Sequence, residues 1–174
     1  MKNRKPNRLR NYDYSQNGMY FVTICTKDRE YFFGDIADQK INSSNIGIIA
    51  QRCWLEIPNH FPHIALDEFV IMPNHIHGII EIINPEPVGG NNYCPLRDLP
   101  WQTLWARSLS SAVRGFKIGV TKWCNENNYY FCWQQNYFDH IVRNDAELNR
   151  IREYIRNNPA NWNRDRNNSE NIFT

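Results

Sequence analysis

The chain has 174 residues, with 20 Lys and Arg against 18 Asp and Glu for a net charge of +2, which suits one domain with a buried core and gives no general polyanion signature. No apolar run is long enough to span a bilayer, and no apolar segment follows the basic start as in a signal peptide, so a cytoplasmic protein is expected. Cys25, Cys53, Cys94, Cys124 and Cys132 include no Cys-x-x-Cys pair, and read as reduced thiols rather than a disulfide framework or a zinc ribbon.

The positive charge is local. Lys2, Arg4, Lys5, Arg8 and Arg10 make residues 1–12 a basic arm able to reach phosphates. After Gly18, "MYFVTICT" is dense in β-branched and aromatic residues and predicts a strand. Residues 28–44 form an excursion or hairpin. From Asn45, Ile46, Ile49, Ala50, Cys53 and Ile57 follow helical spacing up to Pro58. "ALDEFVIM" and "HIHGIIEII" then read as two strands joined at Pro73-Asn74. The Pro- and Gly-rich stretch 84–100 is a connector. Beyond it Leu109, Val113, Phe116, Val120 and Trp123 mark a long amphipathic helix, and "YYFCWQ" predicts a short strand. The last helix is capped by Asn144 with Glu147 three residues on, carries Leu148, Ile151 and Ile155 as a stripe, and ends near Pro159. The Asn-rich segment 163–174 has no periodicity and is expected to be a flexible tail, leaving residues 1–162 as the domain. Strand, helix, two strands, helix, strand, helix is an α+β order with helices packed on an antiparallel sheet.

Two constellations carry chemistry. Residues two apart in a strand share a face, with Cα atoms roughly 6.5–7 Å apart, so His75 and His77 can converge on one ion. Taken alone they are as readily hydrogen-bonded core polar groups. Gly78 beside them hints at a close approach. Tyr154 and Asn158, four apart, flank the buried stripe of the last helix. They offer a phenol nucleophile and an amide oxygen, or simply an amphipathic Tyr and a helix-ending Asn.

Together "MYFVTICT", "MPNHIHGII", "SLSSAVRGFK", "FCWQQNYFDHIVRN" and "LNRIREYIRNNP", spanning roughly Tyr12 to Trp162, resemble the single-tyrosine, His-hydrophobic-His transposases, in the branch associated with repeated extragenic palindromes. The resemblance implies a ferredoxin-like sandwich with the histidine pair on a central strand and the nucleophile on a late helix. It makes His75 and His77 metal ligands and Tyr154 the nucleophile. Asn158 becomes the third ligand, standing where some members carry glutamine. Tyr137 is the rival tyrosine, without a partner one turn on, and Asp139 and His140 beside it are candidates to support the site.

The implied reaction is cleavage and rejoining of single-stranded or hairpin DNA through a 5′-phosphotyrosine with Mg²⁺ or Mn²⁺, without a nucleotide cofactor. Arg107, Arg114 and Lys117 along the long helix, with the basic arm, are candidate phosphate contacts. Trp101, Trp105 and Tyr12 are candidate stacking platforms. Two rival readings are a zinc hydrolase that adds His60 or His63 to the histidine pair, and a DNA-hairpin-binding module without catalysis. The site is open to assembly within one chain or across a homodimer.

Overall fold

A computed structural model describes residues 12–83 and 108–168. Its strands are β1 (Gly18–Cys25), β2 (Gly34–Ala37), β3 (Lys40–Ser43), β4 (Ile64–Met72), β5 (His75–Ile82) and β6 (Phe138–Val142). Its helices are α1 (Asn45–Leu55), the short α2 (Ile57–His60), α3 (Leu109–Glu126) and α4 (Asp145–Asn157). Four strands form an antiparallel sheet in the order β4-β5-β1-β6, and β2 and β3 make a separate hairpin. The fold is α+β, with helices packed on that sheet.

β1 and β5 lie in the middle of the sheet and are covered on both sides, so their sequences are nearly continuous in apolar residues rather than alternating. Even-numbered Tyr20, Val22, Ile24, Ile76 and Ile80 join Trp54 of α1 and Phe116 of α3 in the main core. Odd-numbered Phe21 and Ile79 face α4, where Leu148 and Ile155 complete a smaller second core. Period-two alternation thus decides which cluster each strand residue serves.

Asn144 is the cap the sequence signals, and Ser44 caps the first helix as well. Ser44 accepts a hydrogen bond from Gly47 N at the start of α1, and Asn144 accepts one from Glu147 N at the start of α4. Pro58 ends α1 early and sits in the first turn of α2. A β-bulge between Leu66 and Phe69 brings Asp67 and Glu68 to α4. There Arg152 makes a two-pronged pair with Asp67 at 2.9 and 2.5 Å, and Arg156 binds Glu68 at 2.9 and 2.7 Å. These contacts fix the helix that carries Tyr154 against its own sheet.

Three local expectations need correction. "YYFCWQ" contributes a single bridge, Trp133 to Thr26, and the edge strand is instead Phe138–Val142. Aromatic packing of Phe131 and Trp133 on Phe33 explains the strand-like composition without a ladder. Gly78 does not open space for a ligand: a Cβ there would lie 2.9 Å from Cη2 of Trp54 and closer still to Cζ2. The glycine admits the indole on the face opposite the histidines. Finally, residues 163–168 are not a free tail. A 3-10 turn at Trp162–Arg164 folds them back, with Asp165, Asn167 and Asn168 buried. Residues 169–174 lie outside the described segments.

Cys25 and Cys124 are buried and Cys53 and Cys132 half-buried, all as free thiols, and burial raises the first two and Cys53. No helix among the described residues is long and apolar enough to cross a membrane.

Candidate active site

β5 turns His75 and His77 toward α4, with ring centroids 4.4 Å apart and both side chains fully buried. Each ring is held at its Nδ1. The carboxamide of Asn74 donates through Nδ2 to the carbonyls of Arg29 (3.1 Å) and Asn167 (2.8 Å), which leaves its Oδ1 to accept from His75 Nδ1–H at 2.8 Å. An oxygen that only accepts fixes the tautomer, so His75 Nε2 carries a lone pair into the site. On the neighbouring strand Thr23, the register partner of His77, bonds His77 Nδ1 through its hydroxyl at 2.9 Å. His77 Nε2 and the Tyr154 hydroxyl share a hydrogen bond at 3.1 Å.

A third group able to ligate a cation comes from the segment folded back after α4. Asp165 joins His75 and His77 in a group whose ligand atoms all lie within 4.8 Å of one another, with His75 Nε2 and Asp165 Oδ2 4.0 Å apart. An ion with bonds of about 2.1 Å sets opposite ligand atoms about 4.2 Å apart, so the set closes around a cation by about half an ångström. Asn158 Nδ2 donates to Asp165 Oδ2 at 3.0 Å, and Asn167 N donates to Oδ1 at 2.6 Å. His75 Nε2 and Asn158 Oδ1 are buried with no hydrogen-bond partner. One orphan is an imidazole 4.0 Å from a carboxylate oxygen and the other an amide oxygen on that carboxylate's hydrogen-bond partner; such orphans call for an explanation, and a cation held by His75, His77 and Asp165 could supply one.

The electrostatics agree with that chemistry. Burial pushes His75 well below its ordinary value, with His77 adding to the effect, and burial likewise pulls His77 down. Both rings are therefore neutral ligands at pH 7, with no proton to expel. The Tyr154 phenol is raised, first by burial and then by the Asp165 carboxylate. Tyr154 is nonetheless 43% exposed, so its hydroxyl meets both the ligand group and the outside. Phe21 packs against both, stacked on His77 at 5.3 Å and edge-on to Tyr154 at 6.1 Å. All these groups belong to one chain.

No protein-family model matches the chain. It is 45% identical over 167 residues, 93% of its length and 91% of the relative's, to an uncharacterized protein of Haemophilus influenzae. It is also 26% identical over 148 residues, 85% of its length and 73% of the relative's, to a protein of that organism named as a REP-associated tyrosine transposase. That similarity agrees with the resemblance to the REP-associated tyrosine transposases carried by the motifs. Its fold matches a solved REP-associated tyrosine transposase bound to a REP hairpin, with a TM-score of 0.60 and 20% identity over 89% of this chain and 73% of that one.

Against the family expectation, the structure brings His75, His77, Tyr154 and Asn158 together and adds Asp165, which sequence reasoning missed. Asp139 is placed elsewhere: it pairs with Val22 and so faces the main core, across the sheet from Tyr154. His140 is on the α4 side but is committed to Glu147 at 2.9 Å. Tyr137 packs on the main core and lines a groove with Arg114 and Lys117, on the face away from the histidines. Lys117 donates to Gln134 O at 2.8 Å and lies over the Trp133 ring, and burial lowers it to about 8. Tyr12 packs on Tyr14 and Tyr20 on that same far face. Lys2, Arg4, Lys5, Arg8, Arg10, Arg107, Trp101 and Trp105 lie outside the described residues. His60 and His63 do not join the ligand group. His63 precedes β4, seven residues from Val70, the partner of His77, or roughly 20 Å along the strand.

Proposed function

We propose that the chain is a metal-dependent DNA strand transferase that cleaves and rejoins single-stranded or hairpin DNA through Tyr154. The observation that carries this reading is the Tyr154 hydroxyl, 3.1 Å from His77 Nε2, at the edge of the His75, His77 and Asp165 group. A nucleophile and a cation site share one small volume open to the outside on the phenol side.

His75, His77 and Asp165 would hold the ion, and Asn158 aims Asp165 by donating to its Oδ2 and keeps an Oδ1 without a hydrogen-bond partner. Mg²⁺ or Mn²⁺ bound there would draw charge from a non-bridging phosphate oxygen and orient the scissile bond, and two imidazoles favour Mn²⁺. The chain does the rest. Asn74 keeps His75 in the ligating tautomer, Thr23 anchors the His77 ring through Nδ1, and Phe21 sets the phenol beside them. Burial and the Asp165 carboxylate hold the free phenol protonated, a weak nucleophile by itself. Neutralising Asp165 removes the second effect. Attack forms a bond from Tyr154 Oη to phosphorus and breaks the bond to O3′, which takes up one proton as the phenol gives one up. The product is a 5′-phosphotyrosine and a free 3′-OH, and attack by another 3′-OH reverses the link.

The test is a denaturing gel of protein mixed with hairpin-bearing single-stranded DNA and Mn²⁺. Wild type forms a protein–DNA adduct and Tyr154→Phe forms none. An adduct that persists in Tyr154→Phe overturns the assignment.

A further inference from the structure

Tyr154 forms part of the wall between two hollows. On one side a cavity of about 570 Å³ is lined by Asn158, Arg164, Asp165 and Arg166 together with Phe21 and Tyr154. On the other a cavity of about 400 Å³ lies between β6 and α4. Its walls are Phe21, Phe138 and Ile151, and His140, Glu147 and Arg150 form its rim. The first is polar and cationic, the second an apolar slot with a polar edge.

Phe138 gives the slot its character. It stands on an edge strand, 39% exposed, with its ring 6.5 Å from Phe21 and the Arg166 guanidinium 5.8 Å from its centroid. No core cluster claims it. An exposed aromatic beside a guanidinium is costly to hydrate and well suited to a flat aromatic ligand joined to an anion. A nucleotide is such a ligand, with a π-face for the phenyl ring and a phosphate for the cation. Arg150 rims the slot and Arg166 lines the polar hollow while reaching over Phe138, so a strand crossing Tyr154 meets a cation in each hollow.

We propose that the slot between β6 and α4 takes the unpaired base next to the phosphate attacked by Tyr154, stacked on Phe138, while Arg150 and Arg166 hold the flanking phosphates. This rests on the strand-transfer reading above and adds the contact that selects a single strand. A base still paired in a duplex cannot lie flat on Phe138, so the slot rejects uninterrupted duplex at the point of attack.

The test uses the full chain carrying Tyr154→Phe, so that DNA is bound but not cut, with fluorescently labelled single strand and the same strand annealed to its complement. Phe138→Ala weakens single-strand binding about 5- to 150-fold, as loss of one base stack requires, and leaves duplex binding unchanged. Phe138→Trp retains the affinity, which separates stacking from folding. Arg150→Gln and Arg166→Gln each lower the slope of log affinity against log salt by about 0.7. Single-strand binding by Phe138→Ala within about twofold of its parent, or an equal loss on duplex, overturns the inference. If the wild-type chain still forms its adduct in that case, only the base slot is wrong. If wild type neither binds the strand nor forms an adduct, the strand-transfer reading falls with it.

Discussion

Replacing Asp165 with Asn removes the charge of the proposed ion site while keeping an isosteric side chain that can still bond Asn167 N. The site has three ligand atoms within 4.8 Å, two of them neutral imidazoles that need no deprotonation. Binding to the folded chain alone stabilises it by about 2.7 kcal/mol when free Mn²⁺ is 100-fold above its dissociation constant. For a chain of this size that raises the melting midpoint by about 5–11 °C. Loss of a ligand costs at least the 10- to 100-fold in affinity seen for outer partners of metal ligands. At the same Mn²⁺ concentration the gain then falls to about 0.4–1.4 kcal/mol, so the shift drops to about half or less. The assay is thermal unfolding with and without MnCl₂ at a concentration set from the wild-type titration. His60→Ala, outside the ligand group, keeps the whole shift. A full Mn²⁺-induced shift in Asp165→Asn refutes the placement of the ion.

Three further outcomes follow from the packing around the site. Gly78→Ala drives a methyl into Trp54 and destabilises the fold by about 1–3 kcal/mol, read as a lower melting midpoint, and an unchanged midpoint contradicts the fit. Asp67→Asn loosens the Arg152 clamp on α4 and slows adduct formation about 10- to 100-fold through misplacement of Tyr154, with single-strand affinity unchanged. The charge exchange Asp67→Arg with Arg152→Asp recovers the rate, and Glu68→Gln, at the more exposed pair, has the smaller effect. Stability of the metal-free chain depends on acid through the two buried histidines. Their folded values lie below the ordinary 6.5, so the unfolded chain takes up protons first, and stability is complete above that pH and lost as it falls toward about 4. Urea unfolding across that range should show the loss in wild type and a shallower one in His77→Gln.

The parts of the site carried by regular elements are legible in the sequence. His75 and His77 share a face because strand period is two, and Tyr154 stands at the rim of a helix whose Asn144 cap and Leu148, Ile151, Ile155 stripe announce it. Asp165 is not legible, because the segment that carries it has no period. It is placed by single hydrogen bonds, Asn74 to Asn167 O and Tyr31 to Asn168, that join residues over ninety positions apart. The edge strand Phe138–Val142 hides for a different reason: with one neighbour and a half-exposed face it reads "FDHIV", polar and apolar mixed. That strand also decides the fate of Asp139 and His140. Adjacent residues in a strand point to opposite faces, so only His140 turns toward Tyr154. Gly78 shows the same ambiguity, since a glycine marks a close approach without saying on which face the neighbour lies.

The most direct measurement is the identity of the residue joined to DNA. Wild-type protein incubated with hairpin-bearing single-stranded DNA and Mn²⁺ is digested with protease and nuclease, and the nucleotide-bearing peptide is sequenced by mass spectrometry. The account predicts one linkage, a 5′-phosphate ester on Tyr154. A linkage on Tyr137 or any other tyrosine, or no linkage when the ion is bound, contradicts it.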